Sequence, residues 1–97
     1  MLFALLCKDK PNALQIRMDT RPTHLEHLQA MNGEGTLKMA GPFLDDAGNP
    51  NGSLLIVEAP DAAAARAIAE ADPYAKAGLF EAIEVRPFRW TINNPDA

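Results

Sequence analysis

Two short stretches of the chain are apolar without alternation, LFALLC at residues 2–7 and LLIV at 54–57, and such runs predict strands covered on both faces. KDKP stops the first. The second follows DDAGNPNG at 45–52, where the density of turn formers predicts a hairpin connection or a longer loop. Between them, residues 36–43 set Leu37, Met39 and Gly41 against Lys38 and Ala40, an alternating strand that Pro42 is expected to cut off. A last strand is predicted over 80–92, with Ile83, Val85 and Pro87 on one face and Ala82, Glu84, Phe88 and Trp90 on the other.

Helices fill the intervals. The first is expected from about Asn12, with Asn12 as its cap. Pro22 then either kinks it or opens a new helix as its first residue. Asn32, Gly33, Glu34 and Gly35 end it with residues that tolerate positive φ. Asp61 caps an alanine-rich helix over 62–71, whose small side chains permit close approach to a sheet. Asp72 before Pro73 interrupts it, and a short helical turn over 73–77 leads to Gly78. Residues 93–97 read as a frayed tail. The order strand, helix, strand, strand, helix, strand predicts an α+β, ferredoxin-like βαββαβ fold, a four-stranded antiparallel sheet with both helices on one face. The other face is also apolar, so a homodimer with facing sheets is expected.

Ninety-seven residues make a single domain over 1–97. A hydrophobic share of 47% with 23% charged residues is that of a globular chain. The net charge of −4, with no basic run, excludes a nucleic-acid partner on electrostatic grounds. Residues 1–7 resemble a short signal segment, but no positive region precedes them and Lys8, Asp9 and Lys10 follow at once, so a strand explains them better. No stretch approaches the ~20 apolar residues of a membrane helix. The single cysteine, Cys7, forbids an intrachain disulfide and fits a reducing, cytoplasmic setting as a small buried hydrophobe.

The chemistry concentrates on the first helix. At about 100° per residue, Arg17, Arg21, His24 and Leu28 fall within roughly 60° of one another, with Leu14, Met18 and Leu25 beside them. His24 therefore sits at the rim of the buried face. His27 is turned roughly 60° further from the apolar centre, beside Thr20 and Thr23, and is expected at the surface. Without clustered carboxylates at ligand spacing, the two histidines do not predict a metal. No glycine-rich phosphate loop is present, so no cofactor is expected. His24 offers an imidazole for general acid or base chemistry; the bland alternative is a helix histidine bonded to backbone. Arg17 and Arg21 are candidates for holding an anionic group of a small-molecule ligand, or else ordinary solvated or ion-paired arginines. Tyr74 borders the same region or simply packs. Ser53 lacks any nucleophile-elbow context.

The segments LFALLCKDKP, RPTHLEHL, AGPFLDDAGNPNGSLLIVEA and ADPYAKAGLFEAIEVRPFRW, in this order and spacing, resemble the YCII-related family over roughly residues 2–92. The resemblance implies a ferredoxin-like fold that dimerises through its sheets into an α+β barrel. It also implies a site of one histidine and one aspartate, here His24 in RPTHL and Asp72 in ADPY. Asp72 is at the same time an expected helix cap, with one oxygen for the backbone and the other for the imidazole. Members credited with chemistry resemble cofactor-free lyases of small hydroxylated, sometimes chlorinated, rings. Two readings stay open: an enzyme of lyase or isomerase type, and a non-catalytic ligand-binding or regulatory dimer.

Overall fold

The structure, a computed structural model, describes residues 1–95. Its elements are β1 (Leu2–Asp9), α1 (Leu14–Gly33), β2 (Leu37–Leu44), β3 (Pro50–Glu58), α2 (Ala62–Glu70), α3 (Pro73–Lys76) and β4 (Phe80–Phe88). The strands form one antiparallel sheet in the order β2-β3-β1-β4, the ferredoxin-like α+β arrangement expected.

The apolar runs take the two central positions. In the β1–β3 register Phe3 lies opposite Val57, Leu5 opposite Leu55 and Cys7 opposite Ser53. These alternate residues face the helices and are buried with Met31, Ala59, Ala65 and Ala69. Ala65 and Ala69 are the buried side of α2, so the small side chains do bring that helix close to the sheet. Asp61 caps it by accepting the Ala64 N–H at 2.8 Å.

Several boundaries differ from expectation. Pro42 does not stop β2, which runs on to Leu44. β2 is an edge strand, where a residue lacking an N–H is tolerated. A register shift between Leu37 and Met39 sets the first opposite Val57 and the second opposite Ile56, so the two do not share a face. β4 ends at Phe88, not near residue 92, because Phe88 already pairs with Leu2, where β1 begins. Beyond it Trp90 donates its indole N–H to the Ile92 carbonyl at 2.6 Å. Of the tail expected to fray over 93–97, residues 96 and 97 lie outside the described residues.

The first helix runs unbroken through Pro22. Asn12 is not its cap: it adopts φ 58°, and Ala13 stands at the helix start with no side-chain bond. An amide side chain tolerates the left-handed conformation, which turns the chain from β1 into α1. The helix ends as expected near Gly35, φ 79°. Its fully buried positions are Arg17, His24 and Met31, each two turns from the next, while Leu14, Met18 and Leu25 stay exposed. Two of these three inward positions are polar, and of the leucines only Leu28 packs, half-buried, against the core.

The sheet's other face carries Ala4, Leu6, Met39, Leu54, Ile56, Arg86 and Phe88. These residues line a groove of about 410 Å³ with Pro87 and Trp90. No helix among the described residues is long and apolar enough to cross a membrane.

Candidate active site

The site lies where α1 and α3 meet over the helix-facing side of β1 and β3. At the end of β1 the alternation Phe3, Leu5, Cys7 continues to Asp9, which puts a carboxylate on the buried face, 7% exposed. Arg17 answers it with a forked ion pair, Nε donating to Oδ2 at 2.8 Å and Nη2 to Oδ1 at 2.9 Å. Nη2 also donates to Ser53 Oγ at 2.9 Å. Burial works against the Arg17 charge, and the Asp9 hydrogen bonds and charge outweigh it, so its pKa lies above the usual value. A bidentate pair satisfied in this way holds two buried charges that neither could keep alone.

Two turns along α1, His24 is buried and places Nδ1 2.9 Å from Asp72 Oδ1. Asp72, 2% exposed, precedes Pro73 and caps α3, with Oδ1 also accepting the Tyr74 N–H at 2.8 Å. One oxygen thus takes both bonds, where the sequence suggested one for each. Because the carboxylate accepts, Nδ1 is the ring's donor, and the neutral imidazole keeps its lone pair on Nε2.

Tyr74 joins the two pairs. Its ring is stacked on His24 at 3.8 Å between centroids and 18° between planes, and the Arg17 guanidinium lies over it, Cζ 4.6 Å from the ring centre. Phe80 meets it edge-on at 6.1 Å. Burial pushes the phenol pKa upward despite the charges of Arg17 and Arg21.

Of these groups, Arg17, Ser53, His24 and Tyr74 line a cavity of about 380 Å³. Its basic side chains are Arg17, Arg21 and His24, its apolar lining includes Met18, Leu25, Leu28 and Leu55, and Ala40, Gly41 and Pro42 of β2 complete it. The expected stripe of Arg17, Arg21, His24 and Leu28 therefore does share one surface. Arg21 is exposed and makes no hydrogen bond or ion pair among the described residues. A larger open hollow of about 810 Å³ at the hairpin end of the sheet includes none of His24, Asp72 or Tyr74.

His27 departs from expectation: it is half-buried, with Nε2 out of reach of solvent and without a hydrogen-bond partner among the described residues. α1 packs against α3 as well as β2, so it covers a wider arc than its apolar stripe. No group of three metal-ligating side chains occurs among the described residues. Cys7 is a free buried thiol, pushed up to about 12 by burial and then by the charges of Asp72 and Asp9. Asp9 and Ser53 were missed as members of the site. The period-two parity of β1, which puts Asp9 in line with Leu5 and Cys7, was the signal available.

The sequence pattern of the YCII-related domain matches residues 1–89. The chain belongs to the YCII-related domain family. This YCII-related domain is 40% identical over 95 residues to the protein YciI of Escherichia coli O6:H1, covering 92% of this chain and 97% of that one. It is 35% identical over 88 residues to the "derivative of benzaldehyde biosynthesis cluster protein C" of Emericella nidulans, covering 79% and 88%. Among solved structures it resembles the 5-chloro-2-hydroxyhydroquinone dehydrochlorinase of Burkholderia phenoliruptrix, determined with 2,5-dihydroxybenzoquinone. That match has TM-score 0.82 and 35% identity, over 97% of this chain and 99% of that one.

Proposed function

We propose that this YCII-related domain is a cofactor-independent enzyme of lyase or isomerase type acting on a small hydroxylated cyclic compound, with His24 as general base and acid and Asp72 as its orienting partner. The observation that carries the reading is the 2.9 Å His24–Asp72 contact beside a cavity of about 380 Å³. Asp72 fixes the tautomer and leaves Nε2 to take a proton from a ring hydroxyl. Returned to a ring carbon, that proton completes an isomerisation; lost together with an anionic leaving group, it completes an elimination. Tyr74 holds the imidazole plane by stacking. The likeness to a dehydrochlorinase of a hydroxylated ring supports the substrate class, and the volume suits one ring.

The working unit in this reading is a cytoplasmic homodimer. The apolar groove beneath Trp90 supports it, since a second copy would cover Met39 and Phe88, which a lone protomer leaves 46% and 42% exposed. The buried free thiol of Cys7 fits a reducing compartment.

The test is turnover. Purified protein is incubated with a panel of hydroxylated and chlorohydroxylated benzenes while the ultraviolet spectrum and free chloride are followed. Conversion by the wild type and its loss in His24→Gln are expected. Binding without conversion in both proteins replaces the enzyme by the non-catalytic ligand-binding module.

A further inference from the structure

The three basic side chains on the cavity wall are not equivalent. Arg17 is committed: two of its nitrogens bond Asp9, one of them Ser53 as well, and its face lies on Tyr74. His24 has its own carboxylate in Asp72. Arg21 alone has no hydrogen bond or ion pair among the described residues, its charge being felt only by the Tyr74 phenol, and no acid stands among the cavity's lining residues to receive it. Nor does its own helix supply one, because the positions three and four residues away are Arg17, Met18, His24 and Leu25. Arg21 and His24 are themselves three apart on α1, so their side chains rise from neighbouring points of one face.

Charge bookkeeping then assigns Arg21 a task. When His24 takes a proton from a ring hydroxyl, the imidazolium and Asp72 form a neutral pair and the ring is left as an oxyanion. The uncompensated cation on the same wall is Arg21. Resting on the reading of His24 as the base, we propose that Arg21 binds the ionised ring oxygen of the substrate, and that the site takes hydroxylated rings as their oxyanions. Arg17, although it lines the same cavity, serves to hold Asp9, Ser53 and Tyr74 in place.

The experiment uses 4-nitrocatechol, a single ring whose absorption moves into the visible on ionisation, titrated with the purified protein at a pH where the free compound is mostly protonated. The wild type is expected to bind it as the phenolate. Arg21→Gln should lower the phenolate affinity roughly tenfold, the scale of one charge-assisted hydrogen bond. Arg21→Lys should restore part of it by keeping the charge without the fork. Binding of the neutral form by the wild type overturns the proposal. So does an unchanged phenolate affinity in Arg21→Gln, or no saturable binding of either nitrocatechol or catechol. The readout is equilibrium binding, so it separates from failure of the base: a His24→Gln variant that leaves turnover intact refutes the catalytic dyad without altering the effect of Arg21→Gln on bound phenolate.

Discussion

Tyr74 lies face to face with His24 at 3.8 Å between ring centroids, and the Arg17 guanidinium also lies over its ring, Cζ 4.6 Å from the ring centre. Residues from two elements are thereby locked into one layered unit, in which the imidazole plane is set by packing and its rotation by Asp72. Stacked aromatic and cation–π contacts add ~0.5–1.5 kcal/mol each beyond the area they bury.

Tyr74→Phe keeps the ring in the stack, and its activity and melting temperature should stay close to wild type. Tyr74→Leu removes it. Thermal denaturation should show a loss of ~2–4 kcal/mol, the range for a buried aromatic replaced by a smaller side chain, and any turnover should fall as His24 gains freedom.

Asp72→Ala deletes both bonds at Oδ1. Losing the cap costs ~1 kcal/mol, and leaving a buried His24 N–H unanswered costs a further ~1–3 kcal/mol. A double-mutant cycle with His24→Ala measured by urea denaturation should return a coupling energy well above zero; additive effects would mean that the 2.9 Å contact contributes nothing. Asp72→Asn should keep the cap at Tyr74 and lose the charge, so its stability should exceed that of Asp72→Ala.

Arg17→Met strips the buried Asp9 of its partner. The expected destabilisation is ~3–5 kcal/mol, typical of an uncompensated buried charge. Arg17→Met combined with Asp9→Leu should recover most of it, because the pair as a whole gains little over apolar side chains of similar size. Equilibrium unfolding of the three variants distinguishes a buried ion pair from a functional arginine.

Cys7 gives a pH signature. Its thiol is pushed from the usual 9.0 to about 12 in the folded chain, so the native state keeps a proton that the unfolded state releases. The stabilisation is complete below pH 9.0 and is lost as pH rises toward about 12. Urea midpoints should fall across that window, and less so in Cys7→Ala. At neutral pH a thiol reagent should label Cys7 only as fast as the chain opens.

Sedimentation tests the dimer. Twice the 10.5 kDa chain mass is expected at micromolar concentration, and Met39→Glu with Phe88→Glu should give a folded particle of single mass. A wild-type monomer would remove the second copy from the proposal.

What the sequence alone determined was whatever a local rule controls. The non-alternating LFALLC and LLIV runs became the two central strands, Asp61 and Asp72 became caps, and the 3.6-residue period put Arg17, Arg21, His24 and Leu28 on one cavity wall. The tertiary structure decided what depends on partners far along the chain. Pro42 stays inside β2 because that strand is an edge, and β4 stops at Phe88 because β1 has no residue left to pair with it. Asp9 belongs to the buried site only because α1 brings Arg17 over the sheet, and Asp72 spends one oxygen on two donors because α3 sets Tyr74 against His24. Periodicity fixes which face a residue occupies; which face meets which is settled by the packing of α1 and α3 on the sheet.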